Sequence, residues 1–408
     1  MGRVGQGISK QLLELILRDT TVQIHENEIL FDGLAFAGME MGIDGFQSWD
    51  TEVKDPRVYA KILTGGSLAL GETYMEGLWN SKDLVETLTR LLQTRLDEKI
   101  PSLARLVLKA RASMFNLQDR RRSKEAVAHY NLSNKFYELL LDSRMQYTCG
   151  YWKDARTLEE AQKAKLELIC QKLKLKAGDK VLELGGGWGG LAEYTAREYG
   201  CKVVSYNIAD EQVVHARERC KGLDVEIIEG DYRDAIAYAK RHGTFDKVVS
   251  AGLFCHVGYK NHRTLMEVAD KCLKDDGLFL LHCIGKYDSV QHTDPWLQKY
   301  VFPNTVIASA QQITTAAEGL FTTEDWHNFG HDYEKTTLSW YANLRRNWRR
   351  IKELDCVKQS FNGDTDKFYR MFEYYLKSAA ASFRSERNHL FQVVFSKGNL
   401  NEEYKAVR

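Results

Sequence analysis

KVLELGGGWGG, residues 180–190, is the stretch of sequence that decides the fold. A short apolar strand at 181–184 carries an acid, Glu183, near its end and runs directly into five glycines around Trp188. Glycine is favoured where a backbone turns sharply and a ligand approaches closely, because a Cβ would obstruct both. Good helix formers follow at 191–198. A strand, a glycine turn and a helix are the first half of a nucleotide-binding α/β unit, although a tight turn in an unrelated α/β protein has the same pattern.

The spacing of these glycines distinguishes between kinds of nucleotide site. It differs from the dinucleotide-binding pattern G-x-G-x-x-G, and the turn has no lysine of the P-loop kind. The turn resembles instead the first motif of S-adenosylmethionine-dependent methyltransferases. That resemblance implies that Glu183 faces the amino-acid part of S-adenosylmethionine and that Gly185 and Gly187 bind the cofactor through the backbone.

After the glycine turn, segments with strand character alternate with helical segments. The predicted strands are 202–206, 224–228, 245–250 and 277–284, and the predicted helices are 210–221 and 260–273. This alternation predicts an α/β fold with a doubly wound, Rossmann-like sheet. In such sheets, ligands bind at the carboxyl ends of the strands.

Polar candidates for cofactor binding follow two of these predicted strands. Asn207 and Gln212 stand where many methyltransferases have an acid, so we expect them to bind the ribose hydroxyls by neutral hydrogen bonds. Asp231 and Tyr232 suit adenine, because the acid accepts from the exocyclic amine and the ring offers a flat apolar face. The alternative for 231–234 is an ordinary polar turn.

Length and composition limit the functional classes. The chain has 408 residues, for which two domains are the natural expectation, and its net charge of +1 argues against binding nucleic acid through bulk charge. Its eight cysteines include no C-x-x-C pair, so neither a zinc site nor a disulfide framework is indicated. No apolar run approaches the roughly 20 residues that span a bilayer. We therefore expect a cytoplasmic protein without a metal that meets a membrane only from outside.

Residues 1–112 are predicted to form a smaller, mixed α+β N-terminal domain. Its predicted elements are helices at 8–17, 55–63, 84–92 and 103–115 and a strand at 21–30. The glycines of Gly65–Met75 indicate a short apolar turn that either packs on the other domain or connects two helices. Basic residues accumulate at 109–124, and 113–128 is the predicted linker. This segment would lie on an anionic lipid surface or form a solvated linker helix.

Residues 129–408 are predicted to form the catalytic domain. Aromatic and small polar residues concentrate at His129–Asn134 and Met145–Trp152, which we interpret as a lid. Residues 286–335 show no clean alternation but are rich in aromatics, which is typical of a cover for an apolar acceptor. The remaining predicted elements are helices at 158–175, 336–351 and 367–383 and a strand at 389–396.

Together these motifs resemble the cyclopropane-fatty-acyl-phospholipid synthase family, and the smaller N-terminal domain is similar to that of its bacterial two-domain members. The matching segments are 65–75, 129–134, 145–152, 185–190, 231–234, 254–258, 282–285, 294–304, 325–330, 340–341 and 383–384. The resemblance implies S-adenosylmethionine-dependent transfer of a methylene to the cis double bond of an acyl chain in a membrane phospholipid. It also implies a homodimer and a transient peripheral contact with the inner face of the membrane.

The resemblance further implies the site residues. In the family a bound bicarbonate is the base that removes a proton as the cyclopropane ring closes. The residues that match its binding site are Cys149, His282, Ile284 (through its backbone) and Tyr341, and the lid residues Tyr147 and Thr148 match cofactor-binding positions. Without the resemblance, His282 and Tyr341 would be read as core residues.

Several positions depart from the family pattern. Cys255 stands where the family generally has a glutamate, and a thiol cannot replace the hydrogen bond of a carboxylate to bicarbonate. Gly186 and Ala379 stand where cysteines are more usual. Two alternatives follow: a C-methyltransferase that leaves a methylated alkene or uses another acceptor, and a homologue that binds S-adenosylmethionine or lipid without turnover.

Overall fold

The structure is a computed structural model that describes residues 3–26, 47–95, 116, 118 and 132–408. Several predicted features lie outside the described residues: the helix at 103–115, the basic stretch at 109–124 and the linker at 113–128, apart from residues 116 and 118, and the start of the lid at 129–131. Within the described ranges, no helix is long and apolar enough to cross a membrane.

The N-terminal part contains three helices and a small sheet among its described residues. The elements are α1 (Arg3–Leu17), β1 (Ile24–Glu26), β2 (Thr51–Val53), α2 (Arg57–Met75), β3 (Trp79–Ser81) and α3 (Leu84–Gln93). β2 lies between the other two strands, parallel to β1 and antiparallel to β3. Asp83 caps α3, since its side chain accepts a hydrogen bond from the backbone N–H of Glu86.

The elements from residue 134 onward build the larger part of the molecule. They are α4 (Asn134–Leu140), α5 (Leu158–Lys172), β4 (Lys180–Leu184), α6 (Gly190–Tyr199), β5 (Lys202–Asn207), α7 (Asp210–Arg219), β6 (Val225–Glu229), α8 (Ala235–His242), β7 (Phe245–Ala251), α9 (His262–Cys272), β8 (Leu273–Lys286), α10 (Pro295–Tyr300), β9 (Ala308–Ser309), α11 (Ala310–Ala317), β10 (Thr322–Asn328), α12 (His331–Ile351), α13 (Asp355–Lys358), α14 (Thr365–Arg384) and β11 (Asn388–Ser396).

These strands form one eight-stranded sheet in the order β10-β11-β8-β7-β4-β5-β6, with β9 paired to β8. The strands from β8 to β6 in this order are parallel, whereas β11 and β10 are antiparallel additions at one edge. Residues of α5, α6 and α7 bury one face of the sheet, and residues of α8, α9 and α11 bury the other. The predicted α/β fold with a doubly wound sheet is therefore confirmed.

Two segments differ in local structure from the pattern read in the sequence. Residues 286–335 do alternate between helices and strands, since they contain α10, β9, α11 and the edge strand β10; that they cover an apolar acceptor stays a prediction. Thr322 and Thr323 of β10 are exposed, so this strand lacks the apolar alternation that would mark it in the sequence. Gly65–Met75 belongs to α2, which is kinked at Gly66 (φ 57°, ψ −136°), a conformation that favours glycine. The glycines thus mark a short connection between two helical segments, as one of the two alternatives predicted, and the turn is limited to Gly66.

Helices α2 and α3 pack against α14, and α2 also packs against α10. Gly71 of α2 lies so close to the indole of Trp296 that an added Cβ would come within 2.4 Å of the ring. The Tyr74 hydroxyl donates to Glu373 of α14 at 2.9 Å, and the Arg370 guanidinium donates to the carbonyl oxygen of Tyr74. These contacts place apolar side chains of the N-terminal part beside the carboxyl end of the large sheet.

Candidate active site

One cavity of about 480 Å³ extends from the glycine turn after β4 to the N-terminal helices. We call its two ends the polar half and the apolar half. The polar half is lined by Glu183, Gly185, Gly187, Asn207, Gln212, Asp231 and Tyr232. The apolar half is lined by Leu13, Leu17, Tyr59, Ile62, Leu88 and Leu91. The cavity thus joins a site for a polar ligand to a site for a long apolar one.

The glycine turn forms the wall of the polar half nearest the sheet. Gly185 and Gly187 have φ angles of 88° and 53°, in the left-handed region where a side chain is strained. The N–H groups of Gly185 and Gly186 donate to the carbonyl oxygen of Tyr206 at 2.9 and 3.1 Å, which ties the turn to β5. The turn therefore exposes backbone rather than side chains to the cavity.

Glu183 is the buried acid of the polar half. Its side chain faces Ser205, which lies directly opposite on β5 and donates its hydroxyl proton to Oε2 at 2.7 Å. Burial raises the pKa of Glu183 to about 7, although the Ser205 hydrogen bond and the charge of Lys165 oppose this shift. A carboxylate held in this way has a strong electrostatic preference for a cationic partner.

Asn207 and Gln212 line the polar half, but their amides are partly occupied within the protein. The Asn207 amide nitrogen donates to the carbonyl oxygen of Gly187 at 2.9 Å and to the Gln212 side-chain oxygen at 3.0 Å. The Asn207 oxygen accepts from the N–H of Ala209 at 3.2 Å. Asn207 therefore holds the glycine turn in place as well as lining the cavity.

Asp231 and Tyr232 lie together at the carboxyl end of β6. Asp231 accepts from the Arg233 guanidinium at 2.8 Å and from the Arg233 N–H at 2.9 Å, so part of its acceptor capacity is used. The Tyr232 ring is buried, and within the described part of the chain its hydroxyl has no hydrogen-bond partner. The pair thus presents a flat ring and an acid to the cavity.

The described part of the predicted lid is fixed in place rather than free. Tyr147 and Thr148 both line the cavity. Gln162 of α5 donates to the Thr148 carbonyl oxygen at 2.8 Å, and the fully buried Lys165 donates to the Thr148 hydroxyl at 3.1 Å. Burial lowers the pKa of Lys165 to about 8. Neither α5 residue was predicted from the sequence, where only their helical spacing on the face toward 146–148 could have indicated them.

His282, Ile284 and Cys255 come together at the junction of the two halves. All three line the cavity, and the Cys255 thiol lies 3.9 Å from the carbonyl oxygen of Ile284. Burial raises the pKa of Cys255 to about 12, which keeps the thiol neutral. Burial and the charges of Lys165 and Lys172 hold the pKa of His282 well below its usual range, so this imidazole is neutral too.

The structure does not bring Cys149 and Tyr341 to the cavity surface. Cys149 is fully buried, and its thiol donates to the carbonyl oxygen of Gly150 at 3.1 Å. The Tyr341 hydroxyl donates to Glu373 at 2.7 Å, beside the contact between α14 and the N-terminal part. Tyr333, about two turns earlier on α12, does line the cavity. The position and orientation of α12 decide which of these two tyrosines reaches the cavity, and the sequence alone gives neither.

The sequence and the fold were compared with known proteins. The family model for mycolic acid cyclopropane synthetase matches residues 117–393. The cyclopropane-fatty-acyl-phospholipid synthase of Escherichia coli (strain K12) is 43% identical over 363 residues, which are 88% of this chain and 90% of that protein. A sphingolipid C9-methyltransferase of Komagataella phaffii is 30% identical over 295 residues, which are 68% of this chain and 58% of that protein.

The structure supports the same assignment at the level of the fold. The cyclopropane synthase MmaA2 from Mycobacterium tuberculosis aligns with a TM-score of 0.59 and 23% identity, over 67% of this chain and 98% of that one. The family model covers more than half of the chain, and the match to the Escherichia coli relative extends over 88% of it. The chain belongs to the cyclopropane synthase family of S-adenosylmethionine-dependent methyltransferases.

Proposed function

We propose that this protein transfers a methylene unit from S-adenosylmethionine to the cis double bond of an unsaturated phospholipid acyl chain and forms a cyclopropane fatty acid. The observation that carries the proposal is the single cavity that joins the glycine turn to the apolar side chains of α1–α3. The similarity to the cyclopropane-fatty-acyl-phospholipid synthase of Escherichia coli supports the same substrate class.

The residues of the polar half fit S-adenosylmethionine as the second substrate. A Cβ on Gly186 would lie 1.9 Å from the Ser205 hydroxyl, so position 186 has no room for a side chain, and the φ angles of Gly185 and Gly187 favour glycine. The backbone of the turn is therefore open to a ligand. Glu183 offers a carboxylate to the amino group of that ligand, and Tyr232 with Asp231 offers a ring and an acceptor to adenine. Asn207, Gln212, Tyr147 and Thr148 complete this proposed cofactor site.

The reaction requires a dry, well-oriented site. An alkene is a poor nucleophile, so the sulfonium methyl has to be held in line with the double bond while water is excluded. Methyl transfer leaves a carbocation on the acyl chain, and removal of a proton from the new methyl closes the ring. We propose that bicarbonate is held beside His282, Ile284 and Cys255, where it would supply an anion and a base.

Incubation of the purified protein with S-adenosylmethionine and vesicles of cis-unsaturated phospholipid tests the proposal. We expect the mass of the acyl chains to rise by one methylene unit and S-adenosylhomocysteine to form in equal amount. Vesicles of saturated phospholipid are the control. The proposal fails if neither the acyl mass changes nor S-adenosylhomocysteine appears.

A second function, C-methylation that leaves a methylated alkene or uses another acceptor, is favoured by Cys255. This thiol is neutral and only weakly hydrogen-bonded, so it contributes less than a carboxylate to a base at this position. The similarity to a sphingolipid C9-methyltransferase is consistent with this alternative. Proton NMR of the product distinguishes the two functions, because a cyclopropane has upfield ring protons and a methylated alkene does not.

The substitution Cys255→Glu tests whether the thiol limits cyclopropane formation. We expect a several-fold increase in cyclopropane product, since a carboxylate can hydrogen-bond bicarbonate directly. Cys255→Ser is the matched control, because it keeps the size without adding a carboxylate. A fall in total turnover with Glu but not with Ser would contradict this expectation and indicate a role of the thiol itself.

The remaining alternative is a homologue that binds S-adenosylmethionine or lipid without turnover. Calorimetry, together with an assay for S-adenosylhomocysteine, distinguishes such a homologue from the two proposed enzymes. Binding of S-adenosylmethionine without formation of S-adenosylhomocysteine, in the presence of any lipid tested, would favour this alternative over the proposed transferase.

Membrane contact, location and assembly are part of the same proposal. Leu12 and Leu15 of α1 are exposed, by 48% and 64%, on the helix whose Leu13 and Leu17 line the cavity. An amphipathic helix with exposed leucines suits contact with a lipid surface beside the entrance for an acyl chain. We propose a cytoplasmic homodimer that transiently contacts the inner face of the membrane, and vesicle flotation and light scattering test the two parts separately.

A further inference from the structure

A row of three polar side chains crosses the antiparallel edge of the large sheet. His282 on β8 lies directly opposite Gln392 on β11, and Gln392 lies directly opposite His327 on β10. Opposed residues in antiparallel strands point to the same face of the sheet. Leu280 and Val394 lie two residues from His282 and Gln392 along their strands, so their side chains are on the same face of the sheet. Both pack against α5, and the row therefore faces that helix. His282 and Gln392 are 1% and 0% exposed, so this is a buried polar row in an otherwise apolar layer.

The contacts within the row indicate where the protons lie. The Gln392 amide nitrogen is 3.2 Å from Nδ1 of His282, and in this orientation of the amide the nitrogen donates and Nδ1 accepts. Since the imidazole is neutral, its single proton is then on Nε2. Within the described part of the chain, Nε2 of His282 has no hydrogen-bond partner, and His282 lines the cavity.

The other end of the row is anchored by buried charges. The ammonium of Lys172, on α5, lies 3.2 Å from Nδ1 of His327 and 3.0 Å from Asp325. The Arg408 guanidinium also binds Asp325, at 2.7 Å. With these partners, the buried Lys172 ammonium holds β10 and α5 together. The charges of Lys172 and Lys165 also lower the pKa of His282 and so disfavour its protonated form.

We infer that Gln392 is a positioning residue for methyl transfer: its amide holds His282 in the tautomer with the proton on Nε2 and so presents that N–H to an oxygen acceptor in the cavity. The inference rests on the proposed function, which places an oxygen anion, bicarbonate, beside His282. In the opposite tautomer, Nε2 would carry a lone pair and would repel such an anion. Gln392 itself need not touch any substrate.

The tautomer is measurable in the unmodified protein without any assay of activity. Long-range correlation of ring ¹⁵N and ¹H signals, with the His282 signals assigned by their loss in His282→Asn, reports which nitrogen is protonated. We expect a proton on Nε2 and a neutral ring from about pH 6 to about pH 8. A proton on Nδ1, or titration near the ordinary histidine pKa, overturns the inference whether or not the proposed function holds.

Substitution then tests whether the tautomer matters for turnover. Gln392→Met keeps the length but removes the donor, and Gln392→Glu replaces the donor by an acceptor that draws the proton to Nδ1. We expect kcat to fall about 10- to 100-fold for Met and further for Glu, with an unchanged KM for S-adenosylmethionine. In Gln392→Glu the ring should also gain a higher pKa, because a carboxylate stabilises the imidazolium against Lys165 and Lys172.

Ser396→Ala is the control for a merely structural effect. Ser396 is a fully buried polar residue of the same strand that does not line the cavity. We expect it to keep kcat near that of the unmodified protein. Equal losses of kcat in Gln392→Met and Ser396→Ala, in proportion to equal losses of thermal stability, would assign the row a structural role and overturn the inference.

Discussion

The two halves of the cavity are built in opposite ways. In the polar half, Glu183, Gly185 and Gly187 lie within five residues, Asn207 ends the next strand along the chain, and Asp231 follows the one after it. The apolar half depends on contacts between distant parts of the chain, such as the hydrogen bond from Tyr74 to Glu373, 299 residues apart. The polar half is therefore encoded locally, whereas the apolar half is a product of tertiary packing.

The two halves also differ in what stabilises them. Polar groups in the polar half are held by directional bonds, including those from Ser205 to Glu183 and from Asn207 to Gly187. The apolar half is held by burial of side chains, a term that is large but has little directionality. Substitutions in the polar half should therefore affect cofactor binding, and substitutions in the apolar half should affect lipid turnover. This separation can be tested by substitutions in each half.

The largest effect is expected from Ile62→Trp in the apolar half. Ile62 is 8% exposed and lines the cavity, so the larger indole would occupy space that an acyl chain needs. Each methylene excluded from an apolar site costs about 1–3 kcal/mol of discrimination, and we expect at least about a 100-fold loss of lipid turnover. Affinity for S-adenosylhomocysteine, measured by calorimetry, should stay unchanged.

Val214→Trp is the control for this substitution, because Val214 is 67% exposed on α7 and does not line the cavity. It adds the same ring without narrowing the site, so lipid turnover should be retained. Weaker binding of S-adenosylhomocysteine in Ile62→Trp would show that the two halves are coupled and would contradict the separation.

The same difference explains which features could be predicted from the sequence. The large sheet followed from apolar segments with helices between them, and the placement of Glu183, Asn207 and Asp231 at strand ends followed from the sheet. The edge strand β10 could not be predicted, because only one of its seven side chains, that of the charged Asp325, is buried. The row of His282, Gln392 and His327 could not be predicted either. Strand register decides which residues lie opposite each other, and one sequence does not give the register of β8 and β11, which are far apart in the chain.

A second test, of intermediate size, concerns the tight packing of the glycine turn. In Gly186→Ala the new Cβ would lie 1.9 Å from the Ser205 hydroxyl and 2.9 Å from Oε2 of Glu183. It would therefore break the hydrogen bond between these two residues, and we expect a loss of about 1–3 kcal/mol in the free energy of unfolding. Urea denaturation with S-adenosylhomocysteine absent gives this value.

The double substitution Gly186→Ala with Ser205→Ala sharpens this test. Removing the hydroxyl leaves space for the new methyl, so the double variant should lose less stability than the sum of the two single variants. The same contact accounts for the glycine at 186, where a cysteine is more usual in the family, because Ser205 and Glu183 leave no room for a side chain. Strict additivity would refute this account.

The smallest effect is expected from Glu183→Gln, which removes a charge from the polar half and keeps the shape. Affinity for S-adenosylmethionine should fall about tenfold, since one charge-assisted contact is lost. Binding of the protein to lipid vesicles should be unchanged. Glu198→Gln, on the exposed side of α6, is the matched control and should change neither quantity. Calorimetry measures the first quantity and vesicle flotation the second.

Glu183→Gln should also change how stability depends on pH. Burial raises the pKa of Glu183 from 4.5 to about 7, so between these values the folded protein keeps a proton that the unfolded chain releases. Because the folded state binds more protons there, the free energy of unfolding of the unmodified protein falls as pH rises through this window. Glutamine lacks this titration, so the variant should gain stability relative to the unmodified protein as pH rises from about 4.5 to about 7, and the difference between the two should be constant above that window. If the difference in the free energy of unfolding between the two proteins does not vary with pH in this window, Glu183 is ionised throughout it. The polar half would then carry a negative charge even without a bound ligand.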